Sequence, residues 1–187
     1  MDKIVIDTTR NITQTTSEFK CSGYGLYDLL KDKGEIVGLE IGCDIGDTSY
    51  FLLKKLPNLK LVSIDPYIDY IDWNGNNLIS RDKMYNDVLE RMCPFGDRFS
   101  LIRKTSDESF EGFNDEYFDF IFIDGLHTYD QLIKDCKHYY SKVKPGGIFS
   151  GHDYTTIPGV HRAVSEFVSE IHKNVLTTEC DVWYFHK

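Results

Sequence analysis

Ile36-Val37-Gly38-Leu39-Glu40-Ile41-Gly42-Cys43-Asp44-Ile45-Gly46-Asp47-Thr48-Ser49 is the stretch on which the fold turns. Its first six residues form an apolar run, the pattern of a strand buried on both faces. The run ends at an acid and two glycines, which let the backbone turn tightly and let a ligand approach it closely. A segment with helical spacing follows, predicted over Ser49–Leu56. Strand, glycine turn and helix in that order make the first unit of an α/β sheet that holds a ligand beyond its strand ends.

The same pattern recurs outward from this stretch. Leu59–Ile64, Phe118–Ile123 and Gly147–Ser150 are apolar runs ending in or beside an acid or a glycine, and Phe99–Arg103 adds a further strand. Helical spacing predicts a short helix over Tyr24–Leu30 and longer ones over Leu78–Met92 and Tyr129–Val143, the last carrying Leu132, Ile133, Cys136, Tyr139, Tyr140 and Val143 on one stripe. Pro158 opens another amphipathic run through Val160, Ala163, Val164, Phe167, Val168 and Ile171. Val175–Thr178 and Val182–His186 predict a closing hairpin at the sheet edge. The predicted class is α/β, a Rossmann-like, doubly wound, mostly parallel seven-stranded sheet with an antiparallel C-terminal hairpin. At 187 residues the chain suits one core. Residues 1–33 read as an N-terminal extension with a short helix, and residues 34–187 as the domain itself. Asp69–Asn77, rich in Asp, Asn and Gly, is the most loop-like stretch.

Composition narrows the function. Hydrophobic residues make up 41% and charged residues 27%, as expected of a globular chain with a real core. The net charge of -9 and pI near 5.1 count against a nucleic-acid partner, since phosphate affinity needs clustered cations and the longest clusters are pairs such as Lys54-Lys55 or Arg103-Lys104. Cys21, Cys43, Cys93, Cys136 and Cys180 are odd in number and widely spaced, which predicts reduced, mostly buried thiols. Met1–Lys20 is polar and Thr-rich, and no stretch approaches the ~20 apolar residues of a membrane span. The expectation is a cytoplasmic protein with no membrane partner; a homo-oligomer stays open.

The glycine turn is not the dinucleotide pattern G-x-G-x-x-G. With an acid, one residue, then Gly-x-x-x-Gly, here Glu40, Gly42 and Gly46, it resembles the first motif of the class I S-adenosylmethionine-dependent methyltransferases. Asp65-Pro66 follows about 20 residues later at the end of the second strand, where an acid accepts ribose hydroxyls, although a turn cap before Pro66 is the plainer alternative. The resemblance implies a cofactor site formed by Glu40, Gly42, Cys43, Gly46, Thr48, Asp65, Pro66, Ser106, Asp107 and Asp124, with Ser106-Asp107 near the adenine. Asp107 serves equally as a helix cap, and Tyr67 and Trp73 suit purine stacking or core packing alike.

Two later segments, Phe118–Tyr129 and Lys144–Tyr154, carry polar clusters to the same sheet edge. With Pro158-Gly159-Val160 they look like the small metal-assisted O-methyltransferases of sugars and antibiotic-type metabolites, methyltransferase domain family 24. That resemblance implies a divalent cation, Mg²⁺ or Mn²⁺, on Asp124 and Asp153, with His152 in the remaining metal-site position and His127 as general base. His152 departs from the acid or amide usual there, because Mg²⁺ prefers oxygen ligands. Each residue also has a plainer reading: Asp124 as the cap of the helix near Thr128, His152 as a satisfied core histidine. Two Asp and two His converging from adjacent strand ends are hard to explain as packing alone. The activity expected is methyl transfer to a hydroxyl of a small-molecule acceptor, with Asp124 and His127 catalytic. The alternatives are a nicotinamide-dependent oxidoreductase, against which the missing G-x-G-x-x-G counts, and a non-catalytic adenosine-cofactor-binding domain.

Overall fold

The computed structural model describes residues 22–68 and 80–187. The readings placed on Met1–Lys20, Cys21, Trp73 and Asp69–Asn77 lie outside the described residues. The elements run α1 (Ser22–Leu30), β1 (Ile36–Ile41), α2 (Asp47–Lys55), β2 (Leu59–Ile64), α3 (Arg81–Met92), β3 (Phe99–Ile102), α4 (Ser106–Ser109), β4 (Phe118–Ile123), α5 (Tyr129–Tyr139), β5 (Val143–Gly151), α6 (Pro158–Glu170), β6 (Leu176–Thr177) and β7 (Trp183–His186). The strands form one seven-stranded sheet in the order β3-β2-β1-β4-β5-β7-β6. Neighbours among β1 to β5 are parallel, and β7 runs antiparallel to both β5 and β6. This is the expected class, with its chain-order reversal between β1 and β4, where doubly wound sheets open a ligand crevice.

Several boundaries differ from the sequence reading. The helix expected through Val143 ends at Tyr139, because Val143 pairs with Phe118 as the first residue of β5. That strand is longer than the predicted Gly147–Ser150: the pairing shifts between Phe118 and Phe120, so the Lys144-Pro145-Gly146-Gly147 irregularity stays inside it. The helix expected from Ser49 starts at Asp47, directly after the glycine turn. The helix placed at Leu78–Met92 runs from Arg81, with Ser80 as its cap. Of the described cysteines, all reduced, Cys43 and Cys136 are buried as expected, while Cys93 is exposed. No helix among the described residues is long and apolar enough to cross a membrane.

Alternation along the strands divides the core into two layers. Leu39, Ile41, Ile121 and Ile123 face α5 and α6 through Leu132, Cys136, Val160, Val164 and Phe167. Phe120, Phe122, Leu59 and Leu61 face the other layer, with Leu26 and Leu30 of α1, Leu52 and Leu53 of α2, and Met84 and Val88 of α3. Gly38 and Phe120 are register partners on β1 and β4. A Cβ on Gly38 would lie 2.2 Å from the Phe120 ring, which is fully buried, so the ring occupies the space that glycine leaves. Gly38→Ala should therefore lower stability by about 1–3 kcal/mol, the usual cost of overpacking. Chemical denaturation checks this, and Phe120→Leu in the same chain should recover part of the loss; an unchanged midpoint for Gly38→Ala would show the contact to be soft.

Candidate active site

The glycine turn is held from both sides of the sheet. Gly42 N–H donates to the Ile64 carbonyl at 2.8 Å, and Asp124 N–H donates to the Ile41 carbonyl at 2.7 Å. Gly42 has φ +94°, and a Cβ there would sit 2.1 Å from the Asp124 carbonyl oxygen, so only glycine lets the ends of β1 and β4 come this close. Gly46, at φ +77°, closes the turn through its N–H to the Cys43 carbonyl at 2.8 Å. The N-cap of α2 is Gly46, which has no side chain to cap the first-turn amides.

Asp65 is the hub beside this turn. One carboxylate oxygen accepts from Cys43 N–H at 3.0 Å and Asp44 N–H at 2.9 Å, the other from Tyr67 N–H at 2.9 Å. Tyr67, 2% exposed, packs edge-on against Tyr85 and donates its hydroxyl to the Asp44 carbonyl at 2.9 Å. It supports the loop from within the core and presents no ring for stacking. Pro66 is half-buried between them. Arg81 reaches from α3 to the Asp44 carboxylate at 3.3 Å.

Glu40 is 3% exposed beneath the same turn. It shares a sheet face with its register partner Ser63, and both hydroxyls of Ser63 (2.7 Å) and Ser49 donate to its Oε2. Burial pushes its carboxyl up to about 7, against the opposing pull of those two hydroxyls. Thr48, expected at the cofactor, has its hydroxyl 2.7 Å from that of Ser22 on α1. Ser106 and Asp107 turn toward α5: Gln131 donates to Ser106 Oγ at 3.2 Å, and Lys134 pairs with Asp107 at 2.7 Å. Thr105, and not Asp107, caps α4, in a reciprocal box with Glu108.

At the ends of β4 and β5 the structure brings Asp124, His127, His152 and Asp153 together. His127 Nε2 lies 3.3 Å from Asp124 Oδ1 and 3.1 Å from Asp153 Oδ2. His152 Nδ1 lies 3.2 Å from Asp153 Oδ1 and 3.9 Å from Asp124 Oδ1. Thr128, not Asp124, caps α5 by accepting from Gln131 N–H at 3.4 Å, so the Asp124 carboxylate is left to the cluster. The hydrogen bond to Asp124 raises the His127 imidazole above its ordinary value. Burial alone would lower His152, but Asp153 and Asp124 outweigh it and lift the ring to about 9. The His152 hydrogen bond in turn lowers Asp153. Ligand atoms of Asp124, His152 and Asp153 all fall within 4.8 Å of one another, a spacing and donor set that fit a divalent cation.

Sequence reasoning missed the partners that arrive from afar. The Cys180 carbonyl lies 3.0 Å from His152 Nε2, and Asp181 accepts from Thr155 N–H at 2.9 Å and from the hydroxyls of Thr155 at 2.8 Å and Thr156 at 3.0 Å. Their only signal was the polar Glu179-Cys180-Asp181 turn between two β-prone runs.

A 3-2-1-4-5-7-6 sheet with a glycine turn after β1, an acid after β2 and polar clusters after β4 and β5 is the arrangement of a class I methyltransferase. Residues 39–154 match the methyltransferase domain family 24, and the chain belongs to that family. It is 29% identical over 140 residues to the tRNA N(3)-methylcytidine methyltransferase trm141 of Schizosaccharomyces pombe, covering 73% of this chain and 50% of that one. The chain thus spans about half the length of that curated relative. Among solved structures, the O-methyltransferase NovP aligns with TM-score 0.67 at 14% identity, over 88% of this chain and 77% of its own. CalS11, a TDP-rhamnose 3'-O-methyltransferase of calicheamicin biosynthesis, aligns with TM-score 0.62 at 14% identity, over 88% and 76%. At such identities the structures share the fold.

Glu40 yields a pH test. Its folded pKa of about 7 lies above the ordinary 4.5, so the group favours folding while protonated in both states and loses that contribution as pH rises through about 7. Unfolding free energy should fall by up to about 3 kcal/mol between about pH 4.5 and pH 7 and level off above. Glu40→Gln should flatten the slope, and a wild-type profile that already matches Glu40→Gln would show the carboxyl to be unperturbed.

Proposed function

We propose that this chain transfers the methyl group of S-adenosylmethionine to a hydroxyl of a small molecule, a sugar or glycosylated metabolite, with a divalent cation at Asp124 and Asp153. The observation that carries the reading is the contact between the two halves of the site: the Gly42 backbone touches that of Asp124, so a cofactor on the glycine turn lies beside the Asp-His cluster. The α2 amides suit the carboxylate of the methionine part. An ionised carboxylate accepts about four hydrogen bonds. Asp65 already takes three from backbone N–H groups, which leaves room for a ribose hydroxyl.

When bound, the cation would supply charge that anchors the acceptor oxygen and makes its proton easier to lose. His127 stands against both carboxylates with its ring partly open to solvent, the place for a group that takes that proton. Positioning and charge stabilisation do the rest. The sugar class is supported by the acceptor in the name of CalS11 and by the resemblance that Phe118–Tyr129 and Lys144–Tyr154 carry. The likeness to a tRNA methyltransferase favours an RNA acceptor, but a chain of net charge -9 is poorly made to hold a polyanion.

Calorimetry should show S-adenosylmethionine binding and no nicotinamide binding, with Asp65→Ala weakening the cofactor by about 1–3 kcal/mol. Unchanged affinity would remove Asp65 from the site. In an assay against sugar nucleotides, phenolics and tRNA, turnover should fall with a chelator and return with Mg²⁺ or Mn²⁺. His127→Ala should lower it by about 10²–10⁴-fold, less at high pH where hydroxide substitutes. Full, chelator-insensitive transfer by both Asp124→Asn and Asp153→Asn would end the cation reading, and turnover confined to tRNA would end the small-molecule one.

A further inference from the structure

We infer that His152 is a nitrogen ligand that turns this site from Mg²⁺ toward a first-row transition ion such as Mn²⁺ or Fe²⁺. The inference rests on the reading of Asp124 and Asp153 as a cation site and adds to it the class of ion.

The argument begins with a carbonyl. His152 Nε2 lies 3.0 Å from the Cys180 carbonyl oxygen. A carbonyl only accepts, so Nε2 carries a hydrogen, and a ring that binds an ion must do so through Nδ1. Nδ1 is the nitrogen that faces the carboxylates, 3.2 Å from Asp153 Oδ1 and 3.9 Å from Asp124 Oδ1. A hydrogen bond from the far ring nitrogen to a backbone carbonyl is the usual device that fixes the tautomer and orientation of a ligating histidine.

Neither partner is free to drift. His152 N–H donates to the Ile123 carbonyl at 3.1 Å, and the His152 carbonyl accepts from the buried Trp183 indole at 3.2 Å. The Cys180 carbonyl belongs to a turn closed by Thr178 Oγ1, which accepts from Cys180 N–H and Val182 N–H, each at 3.3 Å. Asp181, at φ +56°, binds Thr155 and Thr156, and the Thr156 hydroxyl reaches Asp153 Oδ1 at 3.0 Å. Turn and ligand loop are one hydrogen-bonded unit, so Nδ1 is held toward the cluster without help from an ion.

The donor set is therefore two carboxylates and one imidazole. Mg²⁺ takes oxygen ligands in near-ideal octahedral geometry, whereas imidazole suits Fe, Ni, Cu and Zn, and Mn²⁺ stands at the weak-binding start of that same first-row series. An aspartate at position 152 would give an all-oxygen set, so the histidine is the residue on which the preference depends.

The 187-residue chain, stripped by dialysis against a chelator, is titrated with Mn²⁺ and followed by pulsed electron paramagnetic resonance, then competed with Mg²⁺. Bound Mn²⁺ should show nitrogen hyperfine coupling that survives in His127→Gln and disappears in His152→Asp. Mg²⁺ should displace Mn²⁺ from His152→Asp at a concentration about tenfold or more lower than from the wild type. Circular dichroism establishes that the variants are folded, and the wild type and His127→Gln test the inference even if His152→Asp is not. Bound Mn²⁺ without nitrogen coupling, coupling lost in His127→Gln, or equal displacement by Mg²⁺ would overturn the inference and leave the cation site standing. A wild-type chain that holds neither Mn²⁺ nor Mg²⁺ would overturn both.

Discussion

The site depends on one close approach, that of the Gly42 backbone to the carbonyl of Asp124. A single added carbon at Gly42 would lie 2.1 Å from that oxygen, well inside contact distance. Because Gly42 also donates to Ile64 and Asp124 donates to Ile41, the approach is fixed by the ladders of three adjacent strands, β2, β1 and β4. It puts the turn after β1 and the acid after β4 at a fixed separation before any side chain contributes. Asp65, Glu40 and the α2 amides then organise one side of this seam and the Asp-His cluster the other.

The two sides are stabilised differently. Around the glycine turn the acids are met one by one: Asp65 by three backbone N–H groups, Asp44 by Arg81, Asp47 by Arg91, and Glu40 by two serine hydroxyls, where burial raises its proton affinity. On the other side two carboxylates meet two imidazoles, and the raised proton affinity of both rings shows how strongly that pair of acids draws positive charge. Protons and a divalent cation are alternative answers to the same repulsion. The ligand atoms of Asp124, His152 and Asp153 lie within 4.8 Å of one another, so positive charge drawn there meets both carboxylates together.

What was legible in the sequence follows from how local each signal is. Strand ends announced themselves because an apolar run stops at Glu40, Asp65, Asp124 or Gly151, and connection rules gave the doubly wound class, while the strand order came from the structure. Thr48, Ser106 and Asp107 were read from position alone. Their side chains meet Ser22, Gln131 and Lys134, partners that no spacing rule pairs with them. The start of β5 was hidden because Pro145-Gly146-Gly147 reads as a turn, whereas the sheet absorbs it as a shift of register. Cys180 was invisible as a partner because it acts through its carbonyl, which residue type does not encode. Glu40 and Ser63 were recoverable in principle: strand alternation puts them on one face, and parallel register makes them neighbours.

The same contrast explains why the cofactor is easier to infer than the acceptor. The turn after β1 and the acid after β2 are set by backbone at strand ends, where register leaves little freedom. The loops after β4 and β5 carry side chains that the sheet does not fix: Leu126 stands 64% exposed between Asp124 and His127 without disturbing either strand. A residue there is free to change with the molecule it meets, because nothing in the sheet depends on it. The Cys180–Asp181 turn is the exception on that side. It reaches back from the C-terminal hairpin to His152 and Thr155, so the fold's last segment helps to set where the His152 ring lies.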